Sequence, residues 1–204
     1  MATPPRLIPL LAQYDFARTR LHDRIAGPGF DSGTGTQLEV TRMTDPEYLW
    51  EPAPGCWSVR PRARGPGPGA TTLLGAGEWG LDFAPHPSPA PLTTIAWRLG
   101  HLSALLALRA DHTVGSHALT RADYRFQGDV AGALEGFDAG AGAWREALVS
   151  ADDAALDEVG RCTYPHGSDA EEPFLDIVWW VNQELLHHGA EIALLRDLYR
   201  VRQG

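Results

Sequence analysis

Apolar residues recur at spacings of three and four along four separate stretches of the chain, and between those stretches the pattern breaks. Leu7, Leu10, Leu11, Tyr14, Ala17, Leu21 and Ile25 mark the first stretch. The period places them on one stripe of a helix over residues 6–26, which Gly27-Pro28-Gly29 ends. A second helix is predicted from Thr93 or Thr94 through TTIAWRLGHLSALLALRADH. A third runs from Asp129 to Val149 with Leu134, Phe137, Trp144 and Leu148 as its core, although its several glycines disfavour helix. The fourth, Pro173 to Arg202, has the clearest pattern. There Phe174, Val178, Val181, Leu185, His188, Ile192, Leu195 and Tyr199 form an a/d seam. A helix of roughly 28 residues at 1.5 Å each has the length of a bundle helix.

The connections carry the turn-forming residues. Residues 30–45 are rich in Gly, Ser and Thr and read as loop, followed by a short helical turn in TDPEYL with Thr44 as cap and Pro46 at its first position. Residues 50–90 hold too many Pro and Gly for a long helix, and WSVR and EWGLDF within them read as short strands or an extended flap. RARGPGPG is not followed by the Gly-Lys-Ser/Thr of a phosphate-cradling loop. Residues 111–128 and 151–171 complete the connections. Four amphipathic helices joined by long loops predict an all-α fold: a four-helix bundle in one domain, residues 1–204, with a Pro/Gly-rich insertion between helices one and two.

Charge and composition narrow the function classes. A net charge of −9 disfavours non-specific binding to nucleic acid or to an anionic membrane. No apolar run approaches the roughly 20 residues of a membrane span, and the N-terminus lacks the layout of a signal peptide, so a cytoplasmic location is expected. Cys56 and Cys162 make no disulfide framework and no CxxC, and are expected as free thiols. All 17 basic residues are arginine. That bias reads as the codon usage of a GC-rich genome, which makes arginine a poor pointer to phosphate binding.

The candidate chemistry lies where polar residues interrupt the apolar seams. His188 occupies a seam position of the fourth helix, and Glu184 lies one turn earlier on the same side. On the second helix, Thr94, Trp97, Ala104, Leu105 and Leu108 all fall within about 60° of His101, so His101 faces inward. An ionised carboxylate buried without a partner is costly. A divalent cation shared by His101, Glu184 and His188 removes that cost and leaves a fourth position open. Competing readings stand beside this one. A lone His on an apolar face, such as His101, is more often a hydrogen-bonded core residue than a ligand, Glu184 is also read as the partner of Arg98 or Arg196, and His187 with Glu191 as a second i,i+4 pair. His187 and Glu191 are candidates to support the site or move a proton, and Trp57, Trp97 and Trp180 to wall a pocket. His22 is placed at the bundle end, and His86, His112, His117 and His166 in solvent.

Three segments then resemble a known family. TTIAWRLGHL (Thr93 to Leu102), ELLHHGAEIALLRDLY (Glu184 to Tyr199), and TDPEYLW followed by PGCWSV (Thr44 to Val59) resemble, in the same order, motifs of the DinB-like superfamily. The resemblance implies a four-helix bundle holding a divalent metal, often zinc or nickel, through one His of the second helix and a pair four apart on the fourth. By motif position the ligands are His101, Glu184 and His188. The usual pair is His and His. The Glu found here is similar to the branch typified by mycothiol-dependent maleylpyruvate isomerase. Such relatives use a low-molecular-weight thiol, mycothiol or bacillithiol, as co-substrate in S-transfer or isomerisation of a small molecule. The alternative is a non-catalytic, stress-related binding protein of the same fold that forms a homodimer through exposed apolar residues of its fourth helix, Trp179 among them.

Overall fold

Each of the four apolar stretches forms a long helix, and each begins where the sequence supplies a cap or a break. A computed structural model of the chain describes residues 3–27, 30, 31, 36, 37, 41–164 and 169–203. Pro28, Gly29, His166 and most of the Gly/Ser/Thr-rich stretch expected as loop lie outside the described residues. The first helix, α1, spans Ile8–Ala26. A two-residue antiparallel pair follows, β1 (Phe30–Asp31) with β2 (Thr36–Gln37). The short α2, Asp45–Tyr48, is capped by the Thr44 hydroxyl, with Asp45 rather than Pro46 at its first position. In α3 (Ile95–Val114) the Thr94 hydroxyl accepts from the Trp97 amide at 3.2 Å, and in α4 (Val130–Ser150) Asp129 accepts from the Gly132 amide at 2.9 Å. Each cap satisfies one of the amide groups that a helix start leaves open. The last helix, α5, runs Phe174–Gln203.

These helices close a ring in which α3 packs on α4, α4 on α1, α1 on α5 and α5 on α3. Tyr14, Leu21, Leu99, Leu106, Phe137, Trp144, Leu148, Val178 and Val181 are buried in its core, while Leu134 is only half-buried. The glycines of α4 have a packing role. A Cβ at Gly140 would stand 2.9 Å from the Ser103 carbonyl oxygen and 3.2 Å from the Ala107 amide of α3, so only glycine lets the two backbones approach this closely.

The expectation of an all-α fold is corrected by residues 50–90: the fold is mostly helical, with a small sheet. This stretch forms β3 (Val59–Pro61), β4 (Thr72–Leu74) and β5 (Trp79–Phe83), antiparallel in the order β3-β5-β4. Val59 pairs with Leu81, and both side chains are buried in the helical core. Asp82, fully buried, accepts from the Ser58 amide at 2.9 Å, the Gly67 amide at 2.7 Å and Arg60 Nε at 2.7 Å. That one carboxylate gathers both strand ends and the Pro/Gly loop, which explains how so turn-rich a segment is ordered. The expectation of a solvated His112 is also corrected. It is buried at the end of α3, with Nε2 2.9 Å from the Leu119 carbonyl oxygen and its ring 5.7 Å from that of Tyr164. His22 instead pairs with Asp138 across α1 and α4 at 3.0 Å. Both cysteines are buried free thiols.

A buried ion pair ties α2 to the last helix of the ring. Arg196 of α5 is 1% exposed and Glu47 of α2 is 4% exposed. Their contact is bidentate, at 2.6 and 3.1 Å, and the same guanidinium donates to the carbonyl oxygens of Thr41 and Arg24. One side chain thus joins α5, the end of α1 and the segment leading into α2. Removing one member leaves the other charge buried without its counterpart. Glu47→Ala is therefore expected to lower unfolding free energy by about 3–5 kcal/mol in urea titration. The paired replacement Glu47→Leu with Arg196→Met is expected to recover most of that loss.

Candidate metal centre

The packing of α3 against α5 determines which polar groups meet. Arg98 contacts His188 and Glu191, His101 contacts Glu184 and His188, and Arg109 stacks on Trp180. Positions rising along α3 therefore meet positions falling along α5, so the two helices run antiparallel. His101, on the inward face of α3, is brought to the pair Glu184 and His188, which share one face of α5 because they are four apart.

Nε2 of His101 lies 3.2 Å from Oε2 of Glu184, and Nε2 of His188 lies 3.5 Å from the same oxygen. Ligand atoms arranged tetrahedrally at roughly 2.0–2.1 Å from a zinc ion stand roughly 3.4 Å apart. The two separations bracket that value, and one ligand atom from each of the three side chains lies within 4.8 Å of the others. The donor set of two imidazoles and a carboxylate fits a divalent cation of zinc or nickel type.

The electrostatics of the cluster agree with that fit. Hydrogen bonds from His101 and then His188 hold the Glu184 carboxyl well below the usual carboxylate range, although burial opposes them. Burial pushes the His188 imidazole down, against the Glu184 carboxylate that favours its charged form. An ionised carboxylate and a neutral imidazole are the protonation states in which these groups bind metal.

The surroundings of His188 and His187 differ. The His188 side chain is 12% exposed and that of His187 is 57% exposed. His187 stacks on His188 with ring centroids 4.8 Å apart, and its Nε2 lies 3.2 Å from Glu191 Oε1. His187, His188 and Glu191 form a second group close enough to hold a metal ion, on the outer side. Glu191 Oε2 takes Nδ1 of His188 at 2.7 Å and is itself ion-paired to Arg98. In the tautomer that donates Nδ1–H to Glu191, Nε2 of His188 carries the lone pair that a cation shared with Glu184 and His101 would take. A carboxylate behind a metal-binding imidazole acts in this way, fixing tautomer and ring orientation. Of the two partners expected for Glu184, Arg98 pairs with Glu191 instead and Arg196 with Glu47. Trp97 stacks on His101 at 5.1 Å with an interplanar angle of 10°, and its indole N–H donates to the Asp82 carbonyl oxygen at 2.9 Å. That bond joins the sheet to the histidine.

The DinB superfamily model matches residues 13–192. The chain belongs to the DinB superfamily. No curated relative and no solved structure matches it significantly. In this DinB-superfamily chain, a cavity of about 230 Å³ opens beside the cluster, with His101, Glu184 and Trp97 in its wall. Leu81 and Phe83 of β5 close one side of it, so the sheet borders the site. Trp180 also lines the cavity, whereas Trp57 is buried in the sheet region and donates to the Pro68 carbonyl oxygen at 3.1 Å. Arg109, Arg121 and Tyr164, which line the cavity away from the cluster, went unnoticed in the sequence. The signal that could have found Arg109 is its position eight residues beyond His101, about 80° around the helix and so at the edge of the inner face.

Replacing a carboxylate that orients a metal-binding imidazole costs about 10–100-fold in metal affinity. Glu191→Ala is expected to weaken zinc binding by that factor in calorimetric titration. Glu184→Ala, which removes a ligand atom, should weaken it further. Equal affinity of Glu191→Ala and wild type would show that Glu191 does not hold His188.

Proposed function

We propose that this protein is a divalent-metal-dependent enzyme of the superfamily's four-helix-bundle type, acting on a small molecule with a low-molecular-weight thiol as co-substrate, in S-transfer or isomerisation. The observation that supports it most is the convergence of His101, Glu184 and His188, the first two in the wall of an apolar cavity. These three side chains would hold zinc or nickel. The cation supplies positive charge and Lewis acidity, which favour ionisation of a thiol or water brought near it. Around that position Trp97 and Trp180 present apolar surface that limits water. Glu191 fixes His188, and the exposed imidazole of His187, in contact with Glu191, is placed to carry a proton between the site and solvent. The thiol is the part of the reading drawn from resemblance, since mycothiol-dependent relatives share the His, Glu and His pattern.

A second reading is favoured by one observation. Phe16 of α1 and Leu186 and Leu194 of α5 are exposed together along a groove between the two helices, and Trp179 is 58% exposed nearby. Such a face suits a homodimer and a non-catalytic, stress-related binding role. Light scattering at micromolar concentration should give twice the chain mass on that reading, and a monomer mass would count against it.

The principal experiment is elemental mass spectrometry on untagged protein, followed by thiol assays. About one zinc or nickel per wild-type chain is expected, lost in both Glu184→Ala and His188→Ala. Metal absent even after reconstitution would overturn the metal site. Metal-loaded protein showing neither binding nor turnover with mycothiol, bacillithiol or glutathione would overturn the thiol step.

A further inference from the structure

The outer side of α5 repeats the donor spacing of its inner side. His187 and Glu191 are four apart, as Glu184 and His188 are, so each pair shares one helix face. His187 Nε2 lies 3.2 Å from Glu191 Oε1, the same separation as His101 Nε2 from Glu184 Oε2. Both values are close to the roughly 3.4 Å between ligand atoms around a zinc ion. The inner and outer groups have one member in common, His188. Its Nε2 faces Glu184 and its Nδ1 faces Glu191, so a single imidazole ring separates them.

Glu191 divides its oxygens between the two sides. Oε2 takes His188 Nδ1 at 2.7 Å and pairs with Arg98, whereas Oε1 faces His187. In the tautomer protonated at Nδ1, His187 offers its Nε2 lone pair beside that outer oxygen. Arg98 offsets part of the Glu191 charge, and a cation held there feels its repulsion. The outer group therefore holds a divalent cation less tightly than His101, Glu184 and His188 do. A position that passes an ion onward requires that order of affinities.

Exposure falls along the donors, from 57% at the His187 side chain through 30% at Glu191 to 12% at His188. The other approach to the inner cluster is the cavity, where Leu81, Phe83, Trp97, Leu105 and Trp180 line the wall. Apolar surface gives a hydrated ion nothing in exchange for its water. Along the His187 side, ligand atoms replace that water step by step.

We propose that His187 Nε2 and Glu191 Oε1 form an outer capture site for the divalent cation and deliver it past the His188 ring to the inner position. Delivery rests on the metal-dependent reading above; the capture site does not.

The test uses His187→Phe, which removes the nitrogen and keeps a ring to stack on His188. Metal-free protein is mixed with zinc in stopped flow and followed by tryptophan fluorescence, to which Trp97, stacked on His101, contributes. Loading of His187→Phe is expected to be slower by about tenfold or more, the scale on which local ion concentration changes association rates. Release to a chelator is expected to slow by the same factor, because loss of a transit position leaves the final affinity at the wild-type value. Unchanged rates would overturn delivery. An altered final affinity would overturn it too, by making His187 part of the inner site. Capture itself is measured by calorimetry in His101→Ala with Glu184→Ala, where the inner position is disabled. One zinc is expected to bind, weakly enough to leave on desalting, and adding His187→Phe is expected to weaken it by about tenfold or more. The same affinity with and without His187→Phe would overturn the capture site. Wild type binding zinc no more tightly than the inner-disabled variant would overturn the metal-dependent reading, and delivery with it, and leave capture standing.

Discussion

An ionised carboxylate between two packed helices has to be matched by positive charge or by hydrogen-bond donors, and Glu184 imposes that requirement on everything around it. Its oxygen faces His101 across the α3–α5 interface and His188 one turn along its own helix. The matching propagates outward. His188 can offer Nε2 to the interior because its Nδ1 is tied to Glu191, and Glu191 is held in turn by Arg98 of α3. A polar chain thus runs from the inner seam of the interface to its surface, with an imidazole between its two carboxylates. Its inner end has the spacing and protonation states of a metal-binding set, and its outer end reaches His187 and solvent.

The sheet inserted between α1 and α3 turns that interface into a pocket. Without it, the cavity beside His101 would be an open groove on the helical ring. Leu81 and Phe83 close one side, and the Trp97 indole, stacked on His101, is bonded to the Asp82 carbonyl oxygen of the same strand. The buried Asp82 carboxylate orders the segment by accepting from two backbone amides and Arg60. An apolar wall over a polar cluster raises the strength of each electrostatic contact inside it by excluding water.

Regions of the molecule that serve stability and regions that serve chemistry are spatially separate. The Glu47–Arg196 pair holds the ends of α1, α2 and α5 at a level about two turns beyond His188. Gly140 sets the approach of α3 and α4 on the side of α3 away from α5. Neither borders the cavity beside the cluster. Mutations at these points should therefore report on folding, and mutations at Glu184 or Glu191 on the site.

The four long helices were legible in the sequence because each carries its own period. Apolar residues three and four apart declare a buried stripe whatever the partner, and Thr94, Asp129 and Thr44 announce their helix starts through local bonds to amides three residues on. His101, Glu184 and His188 were legible for the same reason, as polar residues on stripes that should be apolar. What local pattern cannot hold is the pairing of faces. Only the antiparallel docking of α3 on α5 decided that His101 meets Glu184, that Arg98 takes Glu191 and that Arg196 takes Glu47 instead. WSVR and EWGLDF read as short strands or a flap, and β3 and β5 form there, but β4 and the pairing of the three escaped because the segment is ordered by a buried aspartate fifteen residues from one of its partners, Gly67. Arg109 and Arg121 escaped because composition made every arginine look alike. Burial against Tyr164 and Trp180 is what distinguishes Arg109, and burial is a property of the assembled helices rather than of the chain.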